Sequence, residues 1–371
     1  MQSRIVGFDL ARALAMLIMV LVNFKVALLA GAPAPHSDWL DLLDGRSAAI
    51  FVTLAGIGLS LLSQSLLKKS LRNPSRMHQR DSASGHSPAQ SQIRWQVLRR
   101  AGFLAAIGLL FINIWPADIL HYYGAMMALS SLVLFWPARG LLSLAALVLV
   151  AFPAALLLGV DYNAGWDWSS LTYPELWHWQ GFWRNLWVNG FHPLLPWWSF
   201  MLLGLWLGRL DWQQAKVRYW LLFAGLLSVS LSEWLATFCT APPLGFKQYC
   251  ELVGTTSPMP PLPLYMLSAM GSTLICLVLT VTIGERFAEQ RWLKELEHLG
   301  RLALTLYISH IVIGLGTVEA LGLFATPSVA VATISAAIYL LLFCGFSIWH
   351  RQHFQIGPLE WCLRKAAGSA R

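Results

Sequence analysis

Long apolar runs are the feature that most constrains the fold of this chain. Three of them are Ala13–Leu21, Leu141–Val160 and Ile334–Phe346. Because an α-helix rises about 1.5 Å per residue, about 20 apolar residues cross the hydrocarbon core of a bilayer. Only 12% of the 371 residues are charged and the mean hydropathy is +0.57, whereas soluble domains carry about 25% charged residues. The sequence therefore predicts an all-α polytopic membrane protein and excludes a disordered chain, a coiled coil and almost any soluble enzyme.

The apolar pattern predicts about ten transmembrane helices in a multi-pass membrane protein, and we expect this membrane to be the plasma (inner) membrane. If the N-terminus is cytoplasmic, four of the 26 Lys and Arg residues fall outside, and the other 22 fall on the cytoplasmic side. Cytoplasmic loops carry the excess of Lys and Arg, so both termini are predicted to be cytoplasmic. The four external residues are Lys25, Arg46, Arg184 and Lys247. The predicted spans are 8–30, 47–67, 98–115, 119–136, 140–159, 193–209, 218–238, 263–284, 301–322 and 328–349.

The same charge bias explains the net charge of +8, and no nucleic-acid partner is expected. The first span could instead be a cleaved signal peptide, because Arg4 precedes an apolar stretch and Ala30–Ala32 is small enough for cleavage. Asp9 and Arg12 lie where a signal peptide would be apolar, which favours a retained span.

The spans predict a single transmembrane domain over residues 1–371, with two unusual loops. Residues 70–96 are rich in Ser, Arg, His and Gln, which predicts a flexible cytoplasmic loop. Residues 160–192 are predicted to form an external loop rich in aromatic residues. These residues fit an interfacial belt on a short helix lying along the membrane, and a sugar-stacking platform is the alternative. They are Trp166, Trp168, Tyr173, Trp177, Trp179, Trp183 and Trp187.

The cysteines do not form a metal-binding pattern. Cys239 and Cys250 are both predicted to lie outside, near the ends of one loop, where an oxidising compartment would permit a disulfide. The sequence leaves open whether they form one. No Cys or His spacing is typical of zinc, and no metal cofactor is expected.

Charged and polar groups inside the first span are candidates for function, because such groups are costly within a membrane. Asp9, Arg12 and Asn23 recur at helical spacing and share one face. Asp9 and Arg12 can pair at the cytoplasmic edge, whereas Asn23 lies about 21 Å further along, near the outer edge. The alternative is a polar stripe that only holds neighbouring helices together.

Histidines and carboxylates collect on the predicted outer side. His36 is followed by Trp39, Asp44 and Arg46, and a carboxylate near a histidine suits general-base chemistry. A solvated loop without a catalytic role would contain the same residue types. Further along the chain, each of the other histidines could be a packing residue, but together they suggest a polar cavity that opens outward. The residues concerned are Asp118, His121, His192 and His310.

Two stretches resemble known families. The N-terminal stretch resembles the opening of the heparan-alpha-glucosaminide N-acetyltransferase family, in which a similar Asp-x-x-Arg span ends in Val-Asn and a His-x-x-Trp follows on the non-cytosolic side. Its matching residues are Arg4, Asp9, Arg12, Ala15, Met19, Val22, Asn23, His36 and Trp39. The C-terminal part resembles the YeiB-like bacterial membrane family. Its matching residues are Gly300–Tyr307, Trp349, Gly357–Trp361 and Arg364.

The resemblance implies transmembrane acyl transfer. An acyl group, expected to be acetyl, would pass from cytoplasmic acyl-CoA to an amine or hydroxyl of an extracytoplasmic sugar or glycolipid of the cell envelope. His36 matches the family's catalytic histidine, and Asn23 matches the asparagine of Val-Asn, which could donate a hydrogen bond to the thioester oxyanion. Direct transfer and an acyl-histidine intermediate both remain open.

The remaining candidate residues are expected to bind the donor or the acceptor, or to support the residues that do. The phosphates of the donor are expected to dock at the cytoplasmic edge, on Arg12 with Asp9 beside it, and on Arg99, Arg100 and Arg301. Substrate-binding or supporting residues are expected on the outer side. These are Trp39, Asp44, Arg46, Asp118, His121, His192 and His310.

A membrane transporter without covalent chemistry is the alternative function. A transporter is expected to place polar residues at the membrane midplane on broken helices, often in two repeats. Here the polar residues cluster near the outer edge and no repeat is visible, which favours the enzyme. Beyond the bilayer and a sugar or glycolipid acceptor, the sequence permits a homodimer.

Overall fold

The computed structural model describes residues 5–29, 38–72, 88–168, 170–243, 245–325 and 328–368. Their regular structure is helical, apart from one isolated antiparallel bridge between Asp167 and Thr172. The all-α architecture of a polytopic membrane protein, predicted from the apolar runs, is confirmed.

Sixteen α-helices occur within the described residues. Short 3₁₀ helices at Pro174–Trp177 and Leu323–Ala325, and π-helices at Asn185–Asn189 and His310–Leu315, complete the helical structure. The α-helices are α1 (Val6–Leu29), α2 (Asp38–Asp41), α3 (Arg46–Arg72), α4 (Pro88–Phe111), α5 (Leu120–Val133), α6 (Ala138–Leu157), α7 (Trp179–Arg184), α8 (Leu194–Leu207), α9 (Ala215–Thr240), α10 (Lys247–Val253), α11 (Pro263–Arg286), α12 (Arg291–Arg301), α13 (Ala303–Ser309), α14 (Gly316–Ala320), α15 (Val329–His353) and α16 (Pro358–Ala366).

Each of the ten predicted spans coincides with helical structure. By length and composition, seven helical segments of the described chain could cross a membrane, and α8 is a shorter apolar helix. Because α5 has only 14 residues and α4 carries three arginines, neither is among the seven. The count of ten spans and the cytoplasmic termini stay predictions. The seven are Val6–Leu29, Trp39–Ser70, Ala138–Leu157, Ala215–Thr240, Pro263–Arg286, Ala303–Ala320 and Val329–His353.

Two helices extend into the segment 70–96, which was predicted to be a loop. Residues 70–72 complete α3, and α4 already begins at Pro88, which is well suited to a first helical turn because its missing N–H is not needed there. Both ends of the segment are helical because polar composition does not prevent helix formation when one face packs, and the flexible cytoplasmic loop itself stays a prediction. Ile93 and Val97 are buried on that face. Residues 73–87 lie outside the described part of the chain.

The helices group into two compact units. Unit 1 contains residues 1–51, 161–182 and 212–361, and unit 2 contains residues 52–160, 183–211 and 362–371. A single transmembrane domain over residues 1–371 was predicted from the sequence. This division into two units does not test that prediction.

Unit 1 is built around α1, which packs against α11, α12 and α15. Ala11, Ala15 and Met16 are fully buried in these contacts. Small residues let helix backbones approach closely. At Gly300 a Cβ atom would lie 2.0 Å from the carbonyl oxygen of Asp9, so α12 can lie against α1 only with glycine at this position.

The carboxylate of Glu360 stabilises a helix break in unit 1. Leu302 has a non-helical backbone conformation and separates α12 from α13. Glu360 Oε1 accepts hydrogen bonds from the backbone N–H groups of Leu304 at 2.7 Å and Thr305 at 3.0 Å, and Oε2 accepts one from Thr305 Oγ1 at 2.6 Å. A helix N-terminus leaves such N–H groups without partners, and its dipole favours a negative charge. These hydrogen bonds therefore connect Gly300–Tyr307 with Gly357–Trp361, the two segments that carry most of the resemblance to the YeiB-like family.

Unit 2 pairs α4 with α5 and α6 with α8, and α5 also contacts α8. Trp198 Nε1 donates a hydrogen bond to Ser130 Oγ at 2.9 Å, and Gln64 Nε2 donates one to the carbonyl oxygen of Gly208 at 3.0 Å. Polar side chains thus connect α5 and α3 with the α8 region. Such interhelical hydrogen bonds are a common means of holding membrane helices together.

Two features of the predicted outer side have a defined structure. Cys239, at the end of α9, and Cys250, in α10, form a disulfide, which answers the question that the sequence left open. In the aromatic loop the rings of Trp166 and Trp168 stack with centroids 4.6 Å apart, whereas Trp177 and Trp179 are exposed. The choice between a membrane belt and a sugar platform stays open.

Candidate active site

Asn23 and His310 meet in unit 1. Asn23 lies near the end of α1, and His310 begins the π-helix that follows α13. Asn23 Nδ2 lies 2.9 Å from His310 Nε2, and His310 Nδ1 lies 3.3 Å from the carbonyl oxygen of Leu306. A carbonyl can only accept, so Nδ1 carries the proton. Nε2 is therefore the acceptor, and the Asn23 amide is the donor.

This pair fixes the orientation of the asparagine amide. His310 is fully buried, and its ring also contacts Tyr307, with centroids 5.3 Å apart. Asn23 is only partly buried. Because an amide nitrogen carries two hydrogens, the second N–H of Asn23 can serve another acceptor. Short π-helices occur frequently at functional sites, and this one brings His310 to α1.

Lys25 forms a second contact of α1 in unit 1. Its Nζ atom donates to both carboxylate oxygens of Asp44 at 2.7 Å and to Asp41 Oδ1 at 3.0 Å. Lys25 is only 7% exposed. We call Lys25, Asp41 and Asp44 the lysine clamp. From the sequence, Lys25 was predicted only to be an external charge. Its partners could not be predicted, because the sequence does not show where the chain between α1 and α2 runs.

The turn between α2 and α3 separates two charged clusters. Gly45 has φ +69°, and a Cβ atom there would lie 2.2 Å from the Tyr265 hydroxyl. Only glycine satisfies both the backbone and the space. With this turn, Asp44 reaches Lys25, whereas Arg46 points to another cluster.

Arg46 belongs to a polar network in unit 1. Its Nη2 atom contacts Glu233 Oε1 at 2.7 Å and Ser268 Oγ at 2.8 Å, and its Nε donates to Ser272 Oγ at 3.2 Å. Thr256 Oγ1 donates to the other oxygen of Glu233 at 3.0 Å. These bonds join α3 to α9 and α11. The role predicted for Arg46, in binding the substrate or in supporting the site, stays a prediction.

His36, the predicted catalytic histidine, lies outside the described residues. Trp39, the other half of the His-x-x-Trp pattern, is on α2 and 57% exposed. The role assigned to His36 stays a prediction. The described residues that flank the connection in sequence are Leu29, at the end of α1, and Asp38, at the start of α2.

A buried polar cluster lies in unit 2. Asp118 is fully buried, and its Oδ2 atom lies 2.9 Å from His121 Nδ1 and 3.1 Å from the His121 backbone nitrogen. The Tyr122 hydroxyl donates a short hydrogen bond to Asn185 Oδ1. The His192 ring contacts the Tyr122 ring, with centroids 6.1 Å apart. A buried carboxylate requires such partners, because burying it without them is costly.

Three of the histidines predicted on the outer side, His121, His192 and His310, lie within the described residues. His310 is in unit 1, and His121 and His192 share the unit 2 cluster. Burial lowers the pKa of His192 to about 3, against an opposing effect of Asp118 and a further lowering by His121. A group with so low a pKa is a poor general base near pH 7. Their grouping around one outward cavity stays a prediction.

The residues predicted to bind donor phosphates fall into two groups. In unit 1, Arg12 Nη1 contacts Asp9 Oδ1 at 2.7 Å, and Arg301 forms a short ion pair with Glu297. In unit 2, Arg99 and Arg100 lie on α4, and Arg364 exerts its positive charge on Arg100.

Two of these arginines have a donor atom without a visible acceptor. The Nε atoms of Arg100 and Arg301 are buried and form no hydrogen bond within the described residues. Buried donors nearly always have a partner in folded proteins. As for metals, no group of three or more His, Cys, Asp or Glu residues in the described part of the chain could hold an ion.

Comparison with known families places this site in context. The family described as "Heparan-alpha-glucosaminide N-acetyltransferase, catalytic" matches residues 4–226. The chain belongs to this family. Asn23, Lys25 and the unit 2 cluster all lie within the match. The family described as "Protein of unknown function (DUF418)" matches residues 204–369, which include His310 and Glu360. No curated protein and no solved structure matches the chain.

Membership in the N-acetyltransferase family confirms the resemblance that the sequence motifs indicated. It makes the chain a member of a membrane-bound, acetyltransferase-like family. Sequence reasoning identified Asn23 and His310 separately but missed that they bond. It also missed Lys25, Glu233 and Asn185. Spacing along one helix could not have revealed any of these pairings.

Proposed function

We propose that this protein is a transmembrane acyltransferase of the plasma (inner) membrane. It moves an acyl group, acetyl in the simplest case, from cytoplasmic acyl-CoA to an amine or hydroxyl of an extracytoplasmic sugar or glycolipid. The N-acetyltransferase family supports the reaction class. The donor, the acceptor and the compartments are parts of the proposal.

The observation that carries the proposal is the Asn23–His310 hydrogen bond. Attack on a thioester carbonyl turns its oxygen into an oxyanion, which is stabilised by preorganised N–H donors. His310 holds one N–H of the Asn23 amide at 2.9 Å, which fixes the plane of the amide. The second N–H of Asn23 then donates to the developing oxyanion without reorganisation.

The proposed reaction is a proton-coupled acyl transfer. The nucleophile of the acceptor loses its proton to His36 and forms a bond to the thioester carbonyl carbon. The tetrahedral oxyanion, held by Asn23, collapses and breaks the carbon–sulfur bond. The CoA thiolate leaves and takes up a proton, so the products are the acylated acceptor and free CoA. A direct transfer and an acyl-His36 intermediate give the same products.

Phosphates of the donor are proposed to dock on arginines at the predicted cytoplasmic edge. Arg301 in unit 1 and Arg100 in unit 2 are each proposed as a contact, on observations made within its own unit. Both have a buried Nε–H without an acceptor in the described structure, and Arg100 also experiences the positive charge of Arg364. Neighbouring like charges disfavour each other, and an anion between them removes that cost. Arg12 and Arg99 complete the proposed set.

The test is turnover by the purified protein. The protein in detergent is incubated with radiolabelled acetyl-CoA and a panel of amino-sugar and glycolipid acceptors, and both labelled product and free CoA are measured. We expect acceptor-dependent release of CoA that is lost in His36→Ala. His178→Ala is the matched control, because His178 is exposed in the aromatic loop.

The alternative function predicts a different result. A transporter would move a sugar or glycolipid across liposomes without releasing CoA. The transporter would be the better interpretation if the protein transfers no acyl group with any donor and acceptor but does transport a sugar or glycolipid in liposomes.

A further inference from the structure

Lys25 is a buried cation in an unusual position. It lies in α1, a candidate membrane span, and is 7% exposed. Lysines are almost never buried without a partner, and a charge within a span is costly. All three N–H groups of its ammonium can be accounted for, by Asp44 Oδ1, Asp44 Oδ2 and Asp41 Oδ1. A fully satisfied ammonium is not available to bind a substrate, so its use must be structural or positional.

The lysine clamp acts on the same helical turn as Asn23. Successive α-helical residues are about 100° apart, so Lys25 points about 200° away from Asn23. The end of α1 is therefore held from two sides, by His310 through Asn23 and by Asp41 and Asp44 through Lys25. The clamp also joins α1 to α2, the two helices that flank residues 30–37 in the sequence.

We propose that Lys25 is a positioning residue for the acyl-transfer reaction. The clamp fixes the rotation and height of the last turns of α1 relative to α2, and thereby fixes the Asn23 amide. This inference rests on the proposed function, because Asn23 is an oxyanion donor only if the protein transfers an acyl group. A position error of about 1 Å in a catalytic group can reduce the rate about 10²-fold.

The kinetic effect of substituting Lys25 distinguishes a positioning role from a general contribution to stability. Lys25→Met keeps an unbranched side chain that is only one atom shorter and removes the charge. We expect kcat to fall about 10- to 100-fold while the KM for acetyl-CoA stays within about 2-fold, because the proposed phosphate contacts are elsewhere. Lys25→Arg keeps the charge and both carboxylate contacts, and should recover most of the rate. Lys247→Met, at an exposed lysine of α10, is the matched control and should equal the wild type.

A second measurement does not depend on activity. A spin label is placed at Leu42, which is 60% exposed and lies between the two acidic partners, in a background without Cys276, Cys344 and Cys362. We expect the electron paramagnetic resonance line shape to show an immobilised label in the parent. In Lys25→Met the label should be more mobile, and the charge-reversed pair Lys25→Asp with Asp44→Lys should restore part of the immobilisation.

The two measurements separate the possible failures. If the wild type transfers no acyl group, the proposed function fails, and the line shape alone decides whether the clamp holds α2. If Lys25→Met loses the immobilised line shape but keeps normal kcat, the positioning role is wrong. If the line shape and kcat are both unchanged, the clamp has no role. If Lys25→Met does not fold, the milder Asp41→Asn variant takes its place in both measurements.

Discussion

Asn23 Nδ2 and His310 Nε2 lie 2.9 Å apart although the residues are separated by 287 positions. The bond joins the first helix of the N-acetyltransferase match to a helix that only the second family match covers. Both matched segments therefore contribute to one hydrogen bond. Since the imidazole is buried and accepts from the amide, we expect His310 to act on the proposed reaction through Asn23.

This relationship predicts non-additive mutations. Asn23→Ala should lower kcat about 10²- to 10³-fold, since it removes one oxyanion donor. His310→Leu removes the acceptor that orients Asn23 and should cost about 10-fold or more, whereas His310→Gln can still accept. Because His310 acts through Asn23, the double variant Asn23→Ala/His310→Leu should be no slower than Asn23→Ala alone. Steady-state transfer rates test this double-mutant cycle. Fully additive losses would show that His310 has an independent role.

His36 is predicted to be required for turnover and not for folding. Loss of a general base typically costs about 10²- to 10⁴-fold in rate. His36→Ala should insert, purify and bind CoA as the wild type does, yet show almost no transfer in the labelled acetyl-CoA assay. Near-normal transfer in His36→Ala, combined with loss in a His121, His192 or His310 variant, would move the base to that histidine.

The orphaned Nε–H groups of Arg100 and Arg301 predict where the donor binds. Arg100→Gln and Arg301→Gln should each weaken CoA binding about 10-fold or more, since a hydrogen bond to a charged group contributes about 1.5–3 kcal/mol. Binding should also become less sensitive to salt. Calorimetry at two salt concentrations tests both effects. Arg291→Gln, at an exposed residue of α12, is the control, and unchanged affinity in both test variants would place the phosphates elsewhere.

The Glu360 cap predicts a stability effect without a binding effect. Glu360→Ala leaves the N–H groups of Leu304 and Thr305 without their acceptor, and loss of a helix cap costs about 0.5–2 kcal/mol. Thermal unfolding in detergent should therefore show a lower midpoint. The control is Glu289→Ala, because the Glu289 side chain is 92% exposed in its pair with Lys294 and surface pairs contribute little. Equal midpoints for both variants would rule out the cap.

A histidine pair in unit 1 predicts a pH-dependent stability. His298, in α12 outside the candidate spans, lies with its Nε2 atom 3.2 Å from His350 Nδ1. Burial, with the nearby His350, Arg301 and Arg351, lowers the pKa of His298 from 6.5 to about 4. Between pH 6.5 and pH 4 the unfolded state binds the proton more readily, so stability falls as pH falls through this window.

Thermal unfolding at a series of pH values measures this effect. His298→Gln should flatten the decline between pH 6.5 and pH 4, while His178→Gln, at an exposed histidine, should leave it unchanged. An equally steep decline in His298→Gln would assign the titration to other groups.

The sequence by itself determined the architecture of this protein. Whether a segment can cross a membrane depends on its own apolar length, and seven helical segments of the described chain are long and apolar enough to do so. The candidate polar residues were also visible, because a charge or amide is conspicuous within an apolar run. The family could be inferred for the same reason, since its motifs consist of neighbouring residues along one helix or turn.

Only the tertiary structure decided the partners. Asn23 could have faced any helix, and its bond to His310 exists because α1 packs beside the π-helix. In the sequence Lys25 is one of four predicted external charges. In the structure, the turn at Gly45 places Asp44 against it. Likewise, α4 begins at Pro88 because its first turns bury Ile93, although their composition is polar. Periodicity gives the face on which a residue lies, whereas the residue it contacts depends on how distant helices pack.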